Sequence, residues 1–230
     1  MMTLRAALAN IHNDRRWWRK ILIGGVLMVT IIGYPWAEGM VIESLDNAYK
    51  GFPTPLPPWR EWFTRYIAGL FAMLIDFVFF ILPVLIVGLV LFCIAIVALV
   101  SGRLTGWLAA VGLVVLLYEF AMFALGVAPV GRLIYVEEGR AEEALSAQPL
   151  REALRHGARS VYARARLRSL PAYLPALLLV AALWAVARSE FPGAWVVTLL
   201  LVWLSVSALL YAHLVVVQLY ADAGRATRYL

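Results

Sequence analysis

The chain has 230 residues, of which 63% are hydrophobic and only 15% are charged, and its mean hydropathy is +0.83. Soluble domains have about 45–50% apolar and about 25% charged residues, so this composition excludes an ordinary soluble fold. The formal net charge of +6 does not require a nucleic-acid partner, because membrane proteins concentrate Lys and Arg in their cytoplasmic loops.

The composition and length predict a single integral membrane domain, 1–230, with an all-α fold. A transmembrane helix needs about 20 residues to cross a hydrocarbon core about 30 Å thick. We therefore predict a polytopic transmembrane helical bundle of about six membrane segments, with two basic amphipathic helices that lie in the membrane interface. The predicted membrane segments are 21–36, 66–82, 84–100, 105–127, 170–187 and 193–219.

The first predicted element is a basic interfacial helix over 3–20. Its apolar residues Leu4, Leu8 and Ile11 recur at helical spacing, and it ends in a cluster of tryptophan and basic residues. A helix of this kind lies along a membrane surface and meets anionic lipid headgroups. The residues that we expect to contact lipid or a protein partner are Arg15, Arg16, Arg19 and Lys20.

The first membrane segment, 21–36, is followed by a stretch without membrane character. Pro35 is expected to kink or end the segment, because proline cannot donate the backbone hydrogen bond to the preceding turn. The chain then becomes polar and is rich in proline over 52–59, a composition that regular helices and sheets do not tolerate. We therefore predict a stiff surface loop over 37–65, on the opposite side of the membrane from the N-terminus.

An almost continuous apolar run follows over 66–100. As a single helix it would be about 52 Å long at 1.5 Å per residue, too long for one crossing without extreme tilt. Pro83 is the obvious place to divide it, into two segments that either cross separately or form a re-entrant hairpin. A further membrane segment, 105–127, ends before Pro129.

A second basic amphipathic helix is predicted over 150–168. Its apolar stripe includes Leu150, Leu154 and Val161, and arginines lie beside that stripe. The arginines that we expect to contact anionic lipid or a protein partner are Arg151, Arg155 and Arg159. The last two membrane segments follow and are joined by a short turn over 188–192.

The distribution of Lys and Arg predicts the orientation. If both termini and 128–169 are cytoplasmic, 15 of the 20 Lys and Arg residues lie on that side. The positive-inside rule therefore favours a multi-pass protein of the cell (inner) membrane with both termini in the cytoplasm. A single helix over 66–100 followed by only one more span is rejected, because it would place the six arginines of 151–168 outside.

Short motifs are spread over most of the chain. They are the basic Trp17-Trp18-Arg19-Lys20 segment before Gly24-Gly25, then Gly33-Tyr34, Leu56-Pro57-Pro58-Trp59 with Trp62, Gly69, Leu82-Pro83 and Glu138-Gly139-Arg140. In these motifs the chain resembles an uncharacterised family of bacterial and archaeal membrane proteins, domain of unknown function 4013. The resemblance implies a polytopic membrane protein, and it implies no reaction, ligand or catalytic residue.

Three ionisable residues lie inside predicted membrane segments, where a charge costs about 2.5–3.5 kcal/mol and therefore marks a candidate functional site. They are Asp76, Glu119 and His213, and Tyr118 is the expected hydroxyl partner of Glu119. Each carboxyl is either a proton or cation site or a structural group that is protonated and bonded to a neighbouring helix. His213 is a candidate ligand for a pigment or haem, or a residue that reaches the interface near the end of its segment.

Signatures of catalysis and of phosphate binding are not found in the sequence, so we expect no enzymatic activity, no catalytic residue and no resident metal. The first hypothesis is a non-catalytic accessory, scaffold or assembly subunit, whose partners are the lipid bilayer, anionic lipids and other membrane proteins. The second is a small ion- or proton-coupled transporter or channel that uses Asp76 and Glu119. The third is a pigment- or haem-associated membrane subunit that uses His213, and the identity of any cofactor stays open.

Overall fold

A computed structural model describes residues 2–30, 32–100, 104–188 and 192–228. The regular elements in these ranges are helices, which confirms the predicted all-α class. In chain order they are α1 (Leu4–His12), α2 (Trp17–Val29), α3 (Tyr34–Tyr49), α4 (Trp62–Asp76), a π-helical segment (Phe77–Ile81), α5 (Leu82–Val100), α6 (Leu104–Leu125), α7 (Val127–Glu138), α8 (Ala141–Leu145), α9 (Gln148–Leu154), α10 (Ala158–Ser169), a 3₁₀ turn (Leu170–Tyr173), α11 (Leu174–Ala187) and α12 (Ala194–Thr227).

The helices separate into a compact part and two apolar hairpins. The helical body consists of α1–α4, α7–α10 and 205–227 of α12, and it contains most of the buried side chains. The two hairpins are α5 with α6, and α11 with 194–204 of α12. Soluble proteins rarely expose continuous apolar surface of the size found on these hairpins, whereas lipid solvates it. Among their exposed side chains are Leu89 at 68%, Leu116 at 68%, Leu178 at 70% and Trp195 at 69%.

Three of the described helices are long and apolar enough to cross a membrane, namely Trp62–Val90, Ala158–Ala187 and Ala194–Thr227. A fourth candidate is the pair formed by Ala110–Leu125 and Val127–Glu138, which is bent by 45°. The structure thus has the helices of a membrane protein, as predicted. Six separate membrane segments are not confirmed.

The predicted first segment, 21–36, is two helices rather than one span. α2 ends at Val29, and its 13 residues reach about 20 Å, well short of a hydrocarbon core about 30 Å thick. The next helix, α3, begins at Tyr34 with Pro35 in its first turn, where the missing N–H has no helical partner to lose. Pro35 therefore starts a helix instead of ending one.

The helix α3 forms the centre of the helical body. Most of its side chains are buried, and it packs against α4 and α12. The predicted loop over 37–65 is therefore wrong for 37–49 and for 62–65, which are helical, whereas 50–61 is not helical, as predicted. Even the proline-rich stretch packs on the body, because Leu56 is 3% exposed and its carbonyl accepts a hydrogen bond from Lys20 Nζ at 2.8 Å.

The apolar run 66–100 follows one helical path, so the predicted division at Pro83 is wrong. α4 continues through the π-helical segment into α5, and the N–H of Leu82 donates to the carbonyl of Phe77, five residues back. This wider turn makes room for the ring of Pro83, which would otherwise clash with the preceding turn. The structure therefore contains a single helix over 66–100, the arrangement that the distribution of Lys and Arg had excluded in the sequence analysis.

The two predicted amphipathic helices pack against protein. In the range 3–20, α1 ends at His12, and Ile11 is buried in the contact with α12. The range 150–168 is divided into α9 and α10, and Tyr162 of α10 is buried against α12. Each apolar stripe thus has residues packed against the helical body, although Leu154 of the second stripe is 47% exposed. A position of these helices in the membrane interface is not confirmed.

Candidate functional site

Four ionisable side chains from four helices meet inside the helical body. They are Glu38 of α3, Asp76 at the end of α4, Arg132 of α7 and His213 of α12, and we call them the charge cluster. Nη2 of Arg132 lies 2.5 Å from Asp76 Oδ2 and 2.9 Å from Glu38 Oε2. Nδ1 of His213 lies 3.5 Å from the other Glu38 oxygen, Oε1.

The guanidinium of Arg132 is the counter-ion of two carboxylates, those of Glu38 and Asp76. Glu38 is 0% exposed and Arg132 is 6% exposed, and taking an isolated ion out of water costs several kcal/mol. Burial by itself would raise the pKa of the Glu38 carboxyl, but Arg132 and His213 outweigh it and hold that pKa below its ordinary value. These two neighbours therefore favour the ionised form of Glu38, and its burial depends on Arg132.

Asp76, a candidate from the sequence, is part of the charge cluster and pairs with Arg132 of α7. Sequence reasoning missed Arg132, because 130–169 is predicted to lie outside the membrane. A signal for it exists in the apolar run Val127–Ile134, in which a single arginine requires a buried partner. Sequence reasoning also missed Glu38, because this residue lies in a stretch that was predicted to be a surface loop.

Glu119 is separate from the charge cluster, and Tyr118 is not its partner. The hydroxyl of Tyr118 donates instead to the carbonyl of Phe79 at 3.0 Å. That carbonyl has lost its usual helical partner, because Pro83, four residues ahead, has no N–H. In the described part of the chain, Oε1 of Glu119 has no hydrogen-bond partner. The expected pair between Tyr118 and Glu119 is therefore wrong.

His213 lies in the middle of α12, which continues to Thr227. Besides Glu38 it meets the ring of Tyr173, at 6.3 Å between ring centroids. Across the residues that the structure describes, no three His, Cys, Asp or Glu side chains are grouped so that they could hold a metal ion. The hypothesis of a haem or pigment ligand stays a prediction.

A cavity of about 290 Å³ opens beside the charge cluster. Asp76, Arg132 and His213 form part of its wall, and Arg166 of α10 forms another part. Arg166 is 5% exposed, and its Cζ lies 4.2 Å from the centroid of the Phe123 ring. The sequence does not single out Arg166, because it is one of many arginines in its stretch and the stretch is predicted to be cytoplasmic.

The seven basic residues predicted to contact lipid or a partner divide into two groups. Lys20 is tied into the body, with its Nζ 2.5 Å from Asp14 Oδ2. Arg155 donates to the carbonyl of Thr227 at 2.9 Å. These two therefore have partners within the chain. The other five lie on the exposed surface and are Arg15, Arg16, Arg19, Arg151 and Arg159.

Comparison with known proteins identifies a family and no activity. The model of a family described as "Protein of unknown function (DUF4013)" matches residues 22–185. The match covers most of the chain and includes Glu38, Asp76 and Arg132 of the charge cluster, whereas His213 lies beyond it. No curated protein and no solved structure matches the chain.

Proposed function

The chain belongs to the DUF4013 family of proteins of unknown function, and from this premise we propose that it is a non-catalytic accessory, scaffold or assembly protein of the cell (inner) membrane. In this proposal the two apolar hairpins anchor the protein, and the helical body lies at the cytoplasmic face. The observation that supports it is the separation of the exposed apolar side chains of the hairpins from the buried core of the body.

In the proposed topology both hairpins lie in the membrane, and the body lies at the cytoplasmic side with both termini. The arms of the second hairpin continue into the body as the helices Ala158–Ala187 and Ala194–Thr227, which are long enough to cross. α2 is too short to cross, and its Gly24 and Gly25 pack against α12. Because α3 belongs to the core of the body, 37–61 lies on the same side as the termini. All Lys and Arg residues except Arg103 and Arg188 then lie with the body, a stronger bias than the one that the sequence alone predicts.

The exposed basic residues near the start of α2 support a role in contact with the membrane surface. Arg15, Arg16 and Arg19 are exposed, and the guanidinium of Arg19 lies 5.0 Å from the ring centroid of the exposed Trp18. Tryptophan and basic residues together are typical of the membrane–water interface. Each such basic residue contributes on the order of 1 kcal/mol to binding an anionic surface.

Cysteine labelling tests the topology in a chain whose single cysteine, Cys93, is changed to Ser. Thr54→Cys and Ser146→Cys replace exposed residues of the body, and we expect both to be protected from an impermeant maleimide outside right-side-out vesicles. Arg188→Cys, directly after α11, should be labelled. All three should react after solubilisation in detergent, which controls for burial. Labelling of Thr54→Cys from outside, with Ser146→Cys protected, would indicate a crossing by α2 and contradict the proposal.

A second candidate function is a small ion- or proton-coupled transporter or channel. The observation that favours it is the cavity beside the charge cluster, because Asp76 lines that cavity and its side chain is 34% exposed. A carboxylate that faces a cavity within a membrane protein is a candidate for binding and releasing protons or cations.

Asp76→Asn distinguishes the two functions. Asn keeps the shape and can still accept a hydrogen bond from Arg132, which retains Glu38 as its counter-ion. If Asp76 is structural, we expect the Asn variant to keep its expression and thermal stability, and Asp76→Leu to lose at most about 1–2 kcal/mol. Thermal unfolding in detergent and ion flux into proteoliposomes measure these effects. A flux that the wild type shows and the Asn variant lacks, at equal folded protein, would favour the transporter.

A further inference from the structure

Arg166 is a buried cation that lacks a counter-ion. It is 5% exposed, and within the described ranges it forms no ion pair, while its Nε is buried without a hydrogen-bond partner. Its Cζ lies 4.2 Å from the ring centroid of Phe123 and 5.6 Å from that of Tyr220, so the faces of two aromatic rings lie close to the charge. A buried guanidinium in these surroundings attracts an anion, and its planar group of donors suits a phosphate.

The carboxylates near the cavity make no ion pair with Arg166 in the described structure. Those of Asp76 and Glu38 are both turned towards Arg132, at 2.5 and 2.9 Å. Tyr173 lines the cavity on the same side as Arg166 and has a hydroxyl that can donate a hydrogen bond. The cavity of about 290 Å³ therefore contains, beside the ion pair of Asp76 and Arg132, a second guanidinium that makes no ion pair with a carboxylate of the described residues.

An apolar groove of about 570 Å³ adjoins this cavity between α6 and α11. Phe123 and Tyr173 line both the cavity and the groove, so the two spaces meet at these rings. On the side away from the cavity, Leu174 is 55% exposed and Leu177 is 61% exposed, on the hairpin surface assigned above to lipid. The groove thus combines exposed apolar side chains with rings that also line the charged cavity.

We propose that cavity and groove together bind one anionic membrane phospholipid, with its phosphate at Arg166 and an acyl chain in the groove. The charge of Arg166 selects an anion, and the adjoining apolar volume selects a lipid over free phosphate, because free phosphate would leave the groove empty. A zwitterionic headgroup binds less well, since it brings a second cation next to Arg166 and Arg132. The inference rests on the proposed position of the hairpins in the membrane.

Native mass spectrometry of the full chain in detergent, with added phosphatidylglycerol, tests the phosphate site. We expect the wild type to bind one lipid, and Arg166→Gln to bind it at least about tenfold more weakly, because the charge-assisted hydrogen bonds are lost. Arg164→Gln is the matched control, since Arg164 is exposed on the same helix and the change in charge is the same. This control should bind as the wild type does, and phosphatidylcholine should bind the wild type at least about tenfold more weakly.

Leu177→Trp tests the groove separately. Because Leu177 is 61% exposed, the larger side chain can be accommodated without repacking the body, and it fills the groove. We expect it to weaken phosphatidylglycerol binding about tenfold. Binding of inorganic phosphate alone, measured by calorimetry, should be weak in the wild type and unchanged in this variant.

Equal phosphatidylglycerol binding by the wild type and Arg166→Gln would overturn the site. Tight binding of inorganic phosphate that depends on Arg166, with no effect of Leu177→Trp on the lipid, would assign a free anion and overturn the lipid. If Arg166→Gln does not fold, Leu177→Trp decides, because unchanged lipid affinity contradicts the proposal. All measurements are made in detergent, so a failure of this inference is distinguishable from a failure of the proposed topology, which is tested by labelling in vesicles.

Discussion

Arg132→Met is expected to destabilise the protein by about 3–5 kcal/mol, the cost of breaking a buried ion pair by removing one partner. Methionine keeps much of the apolar volume of the side chain, but it leaves Glu38, at 0% exposure, and Asp76 without their shared counter-ion. An unpaired buried carboxylate must take up a proton or water, and either change costs folding free energy. Thermal unfolding of the detergent-solubilised protein, followed by tryptophan fluorescence, measures the loss.

A double-mutant cycle separates the lost charge from the lost packing. Combined with Glu38→Gln, Arg132→Met should cost less than the sum of the two single variants, because the charge of Glu38 and its counter-ion are removed together. Asp76 loses its counter-ion equally in the single and the double variant. Arg140→Met is the control for loss of an exposed arginine. The Arg140 side chain is 71% exposed, and its ion pair, with 3.7 Å between Nη1 and Oε1 of Glu143, lies on the surface. Such surface pairs contribute at most about 1 kcal/mol. If Arg132→Met proves as stable as this control, Glu38 does not depend on Arg132.

Gly69→Ala should cost at least about 3 kcal/mol or prevent stable folding, because overpacking at a rigid contact forces the backbone to shift. α3 and α4 cross here in backbone contact, where a Cβ on Gly69 would overlap the carbonyl oxygen of Pro35. On the other helix, a Cβ on Gly39 would overlap the carbonyl oxygen of Arg65. Carbonyl groups in a helix cannot rotate away as side chains do, so the two helices would have to separate.

Gly88→Ala is the matched control, also a helical glycine changed to alanine. Within the described structure, a Cβ on Gly88 would meet nothing within 4 Å. Alanine is the better helix former by about 1 kcal/mol, so this variant should be as stable as the wild type or slightly more stable. Expression and thermal unfolding in one detergent compare the two variants. Equal tolerance of alanine at both positions would show that close backbone contact is not what holds α3 against α4.

Proline positions show where local reasoning succeeds and where it does not. The proline-rich stretch 50–61 is non-helical, as predicted, because several prolines in succession exclude regular hydrogen bonding. Pro35 and Pro83 were each expected to interrupt a helix, yet one begins α3 and the other follows a π-helical turn inside a longer helix. A single proline permits either outcome, and its neighbours in the fold decide between them.

The candidate site was predictable only in part. Asp76 is recognisable from the sequence, because a carboxylate in an apolar run is costly and needs a reason. Its partner Arg132 and the second carboxylate, Glu38, come from helices that lie 56 and 38 residues away from Asp76 in the sequence. The cavity and the unpaired charge of Arg166 are likewise visible only once α6, α7, α10 and α12 are assembled.

By itself, the sequence determined the all-α class, the presence of membrane-compatible helices and the family resemblance, because these follow from composition, hydropathy and short motifs. Only the tertiary structure decided which apolar residues are buried against protein and which stay exposed on the surface. Tyr162 is 2% exposed, within a helix predicted to lie in the interface, whereas Leu178 is 70% exposed. Burial against protein and exposure to lipid require the same apolar side chains, so hydropathy cannot separate them. The difference depends on neighbours that are distant in sequence, and folding alone brings those neighbours together.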